Sequence, residues 1–348
     1  NRRDLRSRSL NATWAESSSL LEAVRHWQQV RALLADASAA PDLAALGLTA
    51  CTALLRYGIA TDLEDTDVAA IFAEGMQLAR RCLKANAESQ LVAAHSVYLT
   101  IHGAARDALQ PLEEAVQRAG EAGDQGAHFD ALAALAFTYF NLGRLLPALA
   151  ASDQAVELFE AASHAIEPAR AGRVLSFRVL IQTLAGQLAS AAESLRRAEQ
   201  LMPADSEVGI GLLALSAAFL ARYRGEVQMG LSRAERGLDL AERMGSPLFA
   251  AFTNWMRGDA QNLLEDFEGA LGSFEQALAT GAAPNVEGYF LAGLARAHLG
   301  LRDHDRARLT AQHAIEVARQ RGHASSECYA QLTLAHVLCS IDGAAAAA

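Results

Sequence analysis

Lysine is nearly absent. Lys84 stands alone against 29 arginines in 348 residues. A phosphate-binding P-loop needs a lysine beside its glycines, because that amine reaches the phosphates. Arg81-Cys82-Leu83-Lys84-Ala85 is no such loop. Proline is scarce at seven and aromatic residues make up only 6%, while alanine and leucine carry most of the 51% hydrophobic share. That balance favours long helices over sheets. Four cysteines, Cys51, Cys82, Cys328 and Cys339, show no CxxC spacing and lie in alanine- and leucine-rich stretches. They read as small buried apolar residues. No signal peptide and no run of about 18 apolar residues is present, so the chain is expected to be cytoplasmic and reduced, away from membranes. The Asn11-Ala12-Thr13 sequon then carries no meaning. Positive charge is also short: the net charge is −10 and the pI about 5.5. Direct nucleic-acid binding needs a basic face. Arg2, Arg3, Arg6 and Arg8 form a local exception, read as part of a solvated linker.

What is present is repetition. Leu132–Phe159 holds two apolar-striped helical segments broken at Gly143, with small residues at Ala136, Ala148 and Ala155 and bulky ones at Leu132, Leu135 and Tyr139. Antiparallel helices approach closely only where side chains are small, and larger neighbours fill the flanks. The same register recurs along the chain. Val68, Ala108, Ala148, Ala191, Gly230, Ala270 and Ala307 open the second helix of each unit. Seven residues later stand Gly75, Ala115, Ala155, Ala198, Gly237, Ala277 and Ala314, all alanine or glycine. In the first helices Ser96, Ala136, Val179, Ala218, Gly258 and Ala295 share one site. This is the pattern of a tetratricopeptide-type helix hairpin. The spacing of 40, 40, 43, 39, 40 and 37 residues exceeds the usual 34. The fold expected is all-α: a right-handed α-solenoid of antiparallel helix pairs, with repeats of about 40 residues.

The expected organisation is a linker over 1–19, a solenoid over 20–343 with about seven repeats and a terminal half repeat, and a truncated tail over 344–348. The chain starts at Asn1 and stops at Gly343 followed by five alanines, so both ends read as cut. Hairpin turns are placed at Gly103, Gly143, Gly186 and Gly225, with Glu265 and Arg302 at that site in the last two repeats. Inter-repeat turns are placed at Gly123-Asp124, Pro203-Ala204-Asp205, Gly245-Ser246-Pro247, Gly281 to Asn285, and Gly322-His323. Their Asp, Ser or Asn is expected to cap the next helix. Arg178 and Arg257 fall where leucines sit in other repeats. Either the register slips there or an arginine reaches out of the hairpin.

Several patterns imitate chemistry. Gly209-Ile210-Gly211-Leu212-Leu213-Ala214 resembles a dinucleotide fingerprint but lacks the strand that must precede it. Asp62, Glu64, Asp65 and Asp67 lack the central glycine and final glutamate of a calcium loop, and read as helix caps. His95 and His102 share a helix face but stand seven apart, too distant for one metal, and His336 with Cys339 has workable spacing but no third ligand. No nucleophile motif is present. No cofactor or metal is expected, and no catalysis.

In such arrays the first helices line the concave surface. Their outward positions give Asp130, Phe137, Phe140, Arg173, Phe219, Arg222, Tyr223, Trp255, Asp259, Asn262, Tyr289 and Arg296. Aromatics mixed with arginine and carboxylate suit a peptide, a partner domain or a small polar ligand. The alternative is that Phe137, Phe140 and Phe219 pack between adjacent hairpins. Trp255→Ala is expected to spare stability and weaken a ligand.

Further motifs carry a resemblance. Ala241-Glu242-Arg243-Met244-Gly245-Ser246-Pro247, Leu142-Gly143-Arg144-Leu145 with Ala148-Leu149, Asp266-Phe267 with Gly269-Ala270, and Val317-Ala318-Arg319-Gln320-Arg321-Gly322 resemble the tetratricopeptide region of large bacterial multidomain regulators. Such proteins join a signal-transduction ATPase to a class III adenylate or guanylate cyclase, or to a LuxR-type DNA-binding domain. The resemblance implies a non-catalytic sensor or interaction arm, whose partner could be the parent protein's own ATPase or cyclase domains. A stand-alone adaptor or chaperone-like scaffold is the other reading.

Overall fold

A computed structural model describes residues 2–15, 20–35, 41–58, 63, 65–82, 86–204 and 206–347. The chain forms a right-handed α-solenoid, and no strand occurs among the described residues. Helices α1 (Arg2–Ala15) and α2 (Leu20–Ala35) make a first hairpin. Seven repeats follow. They are α3 (Pro41–Tyr57) with α4 (Asp65–Arg81), α5 (Ala87–Ile101) with α6 (Ala105–Glu121), and α7 (Gln125–Asn141) with α8 (Leu145–Ala161). Next come α9 (Pro168–Leu184) with α10 (Leu188–Leu201), α11 (Glu207–Arg224) with α12 (Val227–Met244), and α13 (Pro247–Leu263) with α14 (Phe267–Ala279). The last is α15 (Glu287–Gly300) with α16 (His304–Arg321), after which α17 (Ala324–Ala347) stands without a partner helix among the described residues. A 3-10 turn, Pro284–Val286, leads into α15. Among the described residues no helix is long and apolar enough to cross a membrane.

The small-residue register is the structural seam. Every alanine, glycine, serine or valine at the three register sites is buried. At Gly75, Gly237 and Gly258 even a methyl group would collide. A Cβ on Gly237 would lie 2.7 Å from Thr253 Cγ2, and one on Gly258 2.9 Å from the Phe274 ring. That ring is fully buried and also closes on Gly293, where a Cβ would lie 2.2 Å away. Interiors this dense leave no slack for an added carbon.

The hairpin glycines take left-handed backbone, Gly143 at φ 71° among them. Glu265 and Arg302, at the same turn site, adopt φ 61° and 60°. The turn geometry therefore persists without its glycine, at the steric cost a side chain meets there. The two irregular arginines keep register and reach sideways. Arg178 pairs with Asp153, and Arg257 donates to Ser273 Oγ at 2.9 Å and Gln276 Oε1 at 2.8 Å.

Three expectations need correction. Residues 2–15, read as linker, are helical, with Leu5 and Ala12 buried in the N-terminal core beside Trp27. Cys51 is buried as expected, but Cys328 and Cys339 are exposed, because α17 is covered on one face only. Capping is also uneven. Asp124 and Ser246 accept from Ala127 and Phe249 amides. Ser206 caps α11, and Asn285 caps nothing. The residues Asn1, Asp62, Glu64, Lys84, Asp205 and Ala348, and the span 16–19, lie outside the described residues.

Candidate functional site on the inner face

The odd-numbered helices form the inner layer. From α5 onward each packs on the next odd helix as well as on its own hairpin partner. One repeat length therefore moves a residue sideways onto the neighbouring inner helix. Polar pairs separated by about a repeat mark this ladder. Thr100 and Thr138 share a hydrogen bond of 3.1 Å, and Ser216 Oγ donates to Ser176 O at 2.8 Å. Arg170 pairs with Asp130, and Arg222 with Asp259.

The last of these pairs anchors a polar network in the C-terminal half. Arg222 Nη1 donates to Asp259 Oδ2 at 2.6 Å, and Nη2 donates to Tyr329 Oη at 2.9 Å. Arg296 Nη1 donates to the same hydroxyl at 3.0 Å. The Arg222 guanidinium also lies 5.2 Å from the ring centroids of Tyr223 and Tyr329. Burial opposes charge on Arg222, but Asp259 and the tyrosines hold its pKa above the ordinary value. Burial pushes the Asp259 carboxyl up, while Arg222 and Arg296 favour its ionised form. A pair this close in a dry setting stays ionised, since removing either charge would strand the other. Two guanidiniums thus share the Tyr329 hydroxyl, while only Arg222 contacts the Asp259 carboxylate. Arg296 forms no ion pair among the described residues, so the network carries an unbalanced positive charge.

Aromatic rings wall this network. Trp255 stacks on Tyr289 with centroids 4.9 Å apart, and Phe219 meets Trp255 edge-on at 6.1 Å. His323 stands against Tyr289 at 5.5 Å. Its Nδ1 accepts from the Ser326 amide at 3.1 Å, which leaves Nε2 as a buried donor with no partner. Burial lowers the His323 pKa to about 4. Trp255 Nε1 and Asp259 Oδ1 also lack a partner of proper geometry, although the indole N–H favours the charged carboxylate.

A second cluster lies in the N-terminal half. Asp130 binds Arg170 and, at 3.0 Å, Arg56 Nη2 from α3. Arg173 lies nearby, and burial lowers its pKa.

The twelve sequence-selected residues therefore do not form one open lining. Phe140, Phe219, Trp255, Asp259, Asn262 and Tyr289 are buried, Trp255 to 4% and Asp259 to 1% exposure. Asp130, Phe137, Arg173, Arg222 and Arg296 are half-buried, and Tyr223 alone is exposed, at 40%. Phe137 and Phe140 pack on Phe177 with centroids 5.1 Å apart, between adjacent hairpins. Asn262 is committed to Gly293 O at 2.9 Å. The reason is tight superhelical winding, which presses inner helices together. Sequence reading missed Tyr329, His323 and Arg170. A signal existed: Tyr329 stands 40 residues after Tyr289, and Arg170 stands 40 after Asp130. Among the described residues no cluster of three or more His, Cys, Asp or Glu could hold a metal ion.

No protein-family model matches the chain, and no curated protein matches it in sequence. Solved structures do resemble it in shape. A Rap protein complexed with Competence and Sporulation Factor aligns with TM-score 0.59 and 12% identity over 98% of both chains. Aspartyl phosphate phosphatase F from Bacillus subtilis gives 0.57 and 12%, over 92% of this chain and 94% of that one. A signal transduction ATPase with numerous domains from Pyrococcus horikoshii, carrying a tetratricopeptide repeat sensor, gives 0.57 and 13% over 88% of this chain. The chain spans 44% of that protein's length. At such identities the likeness shows the fold alone.

Proposed function

We propose that the chain is a non-catalytic interaction and sensing module that captures an acidic group of a peptide or partner protein on its inner face. The observation that carries this reading is the charge imbalance at Arg222, Asp259 and Arg296. The one carboxylate pairs with Arg222, Arg296 has only the Tyr329 hydroxyl, and Tyr223 is the exposed residue at the edge of the network. A ligand carboxylate would complete the set through charge-assisted hydrogen bonds. The aromatic walls would exclude water and strengthen those bonds. Binding at a junction of α11, α13, α15 and α17 would favour the wound arrangement over looser ones, which is what a switch requires. The repeat sensor of the Pyrococcus horikoshii ATPase and the factor-bound Rap protein support this use of the fold. The parent chain is proposed to be a multidomain signalling regulator.

The test is a peptide array of matched acidic and neutral sequences, probed with the chain and with Arg296→Gln. Expected binders carry Asp, Glu or a free carboxylate, and Arg296→Gln loses them with its melting temperature unchanged. Binding with no preference for acidic peptides would overturn the reading. Reading the gene upstream of Asn1 separates the two contexts: a Walker motif there indicates a regulator arm, and a nearby start codon a stand-alone adaptor.

A further inference from the structure

The superhelix closes on itself. The turn between α16 and α17 reaches back to the hairpin turns of α5–α6 and α7–α8. A Cβ on Gly143 would lie 2.7 Å from Ala324 Cβ, and one on Gly103 would lie 2.9 Å from Arg321 Cδ. Arg106 crosses in the other direction, with its Nε 3.4 Å from a Cβ placed on Gly322. Between these turns lies a half-open cavity of about 330 Å³, lined by Arg106, Leu109, Leu142, Arg144, Gly322 and Ala324.

The charge lining this cavity is of one sign. Arg106 and Arg144 come from different repeats, and neither forms an ion pair or a side-chain hydrogen bond among the described residues. The lining contains no carboxylate. On the facing lip Arg321 has only a 3.7 Å pair with Glu287, and Arg319 is occupied by Glu327. Two exposed guanidiniums thus line one cavity where the ends of the fold meet, and an anion seated there would be attracted by both. The backbone adds to the same sign. α6 and α8 begin beside the cavity, and neither has a side-chain cap on its first amides. Guanidiniums grip tetrahedral oxyanions in paired hydrogen bonds, and open helix starts add their dipoles.

We propose that this cavity binds a phosphate-class oxyanion, and that the bound anion clamps the second and third repeats to the seventh. The site is separate from the inner-face network and takes a different ligand. It stabilises the closed superhelix from its rim.

The experiment is a titration of inorganic pyrophosphate into the full chain in phosphate-free, low-salt buffer, followed by thermal unfolding and by phosphorus NMR. The expected result is saturable one-to-one binding that raises the melting temperature by several degrees, beyond any effect of sodium chloride at equal ionic strength. Arg106→Gln/Arg144→Gln should lose that response. Without anion it should melt at the parent's temperature, since both arginines are exposed. If the double variant fails to fold, Arg144→Gln alone carries the comparison. A charge-matched control, Arg233→Gln/Arg236→Gln on α12, should keep the response. Equal responses in seam and control variants, or no response beyond salt, would overturn the proposal. Phosphatidic acid vesicles distinguish the source. Retention that pyrophosphate displaces assigns the phosphate to a lipid headgroup, and no retention alongside pyrophosphate binding assigns it to a soluble ligand.

Discussion

Asn285 Nδ2 donates to Asn141 Oδ1 across 2.7 Å, joining residues 144 positions apart. Both side chains are buried, and Asn141 Nδ2 in turn donates to Phe137 O at 2.8 Å. Asn285 stands where a helix cap was expected. It instead ties the turn before α15 to the end of α7, one superhelical circuit away. Removing it strands the buried Asn141 Oδ1 acceptor, which costs about 1–3 kcal/mol. Asn285→Ala should lower stability by that amount and widen the radius of gyration in X-ray scattering. In a double-mutant cycle with Asn141→Ala the two should couple by about 1 kcal/mol. Additive effects with an unchanged radius would show that the contact does not hold the closure.

Trp255 behaves as core. Its ring is 4% exposed and stacks on Tyr289. Trp255→Ala should cost about 3–5 kcal/mol in chemical denaturation. Tyr223→Ala, at the exposed rim of the same network, should cost less than about 1 kcal/mol. Equal losses would remove the distinction between wall and entrance.

Turn strain gives a prediction of opposite sign. Glu265 and Arg302 hold left-handed backbone that glycine adopts freely. Glu265→Gly and Arg302→Gly should each raise stability by about 0.5–1 kcal/mol, the steric relief exceeding the entropy of a more flexible unfolded chain. A loss on substitution would mean that the side chains contribute more than the strain removes.

Overpacking tests the register directly. Ala155 is fully buried at the crossing of α7 and α8. Ala155→Leu should cost about 1–3 kcal/mol. A thermal melt unchanged from the parent would show that the crossing has room, and the small-residue seam would lose its meaning.

Acid should weaken the fold through His323. Its folded pKa is about 4, below the ordinary 6.5, because burial penalises the charged ring. The unfolded chain therefore takes up the proton first as pH falls. The stability tied to the neutral ring is present above about pH 6.5 and is lost progressively down to about pH 4, a change of about 3 kcal/mol. His323→Asn keeps an acceptor for the Ser326 amide and removes the titration. Its stability should fall less steeply between those pH values. Some slope remains, since burial also lowers the pKa of His95, His128 and His298. Identical slopes would place the acid sensitivity elsewhere.

Much of this was legible in one dimension. Hairpin size, the left-handed turns and the buried alanines and glycines follow from local rules: small residues permit close helices, and glycine ends them. The same register placed Arg222, Asp259 and Arg296 on inner helices. It could not say that they meet at Tyr329, because that depends on how far each hairpin rotates on the last. Small rotations accumulate over seven repeats, and no single repeat encodes their sum. The burial of Trp255 and Tyr289, the Asn141–Asn285 bond and the arginine-lined rim at Gly322 all arise from that accumulated winding. The sequence by itself determined the repeating unit, since each unit is fixed by contacts within about 40 residues. The tertiary structure alone decided which distant units touch, and so which polar side chains became a site.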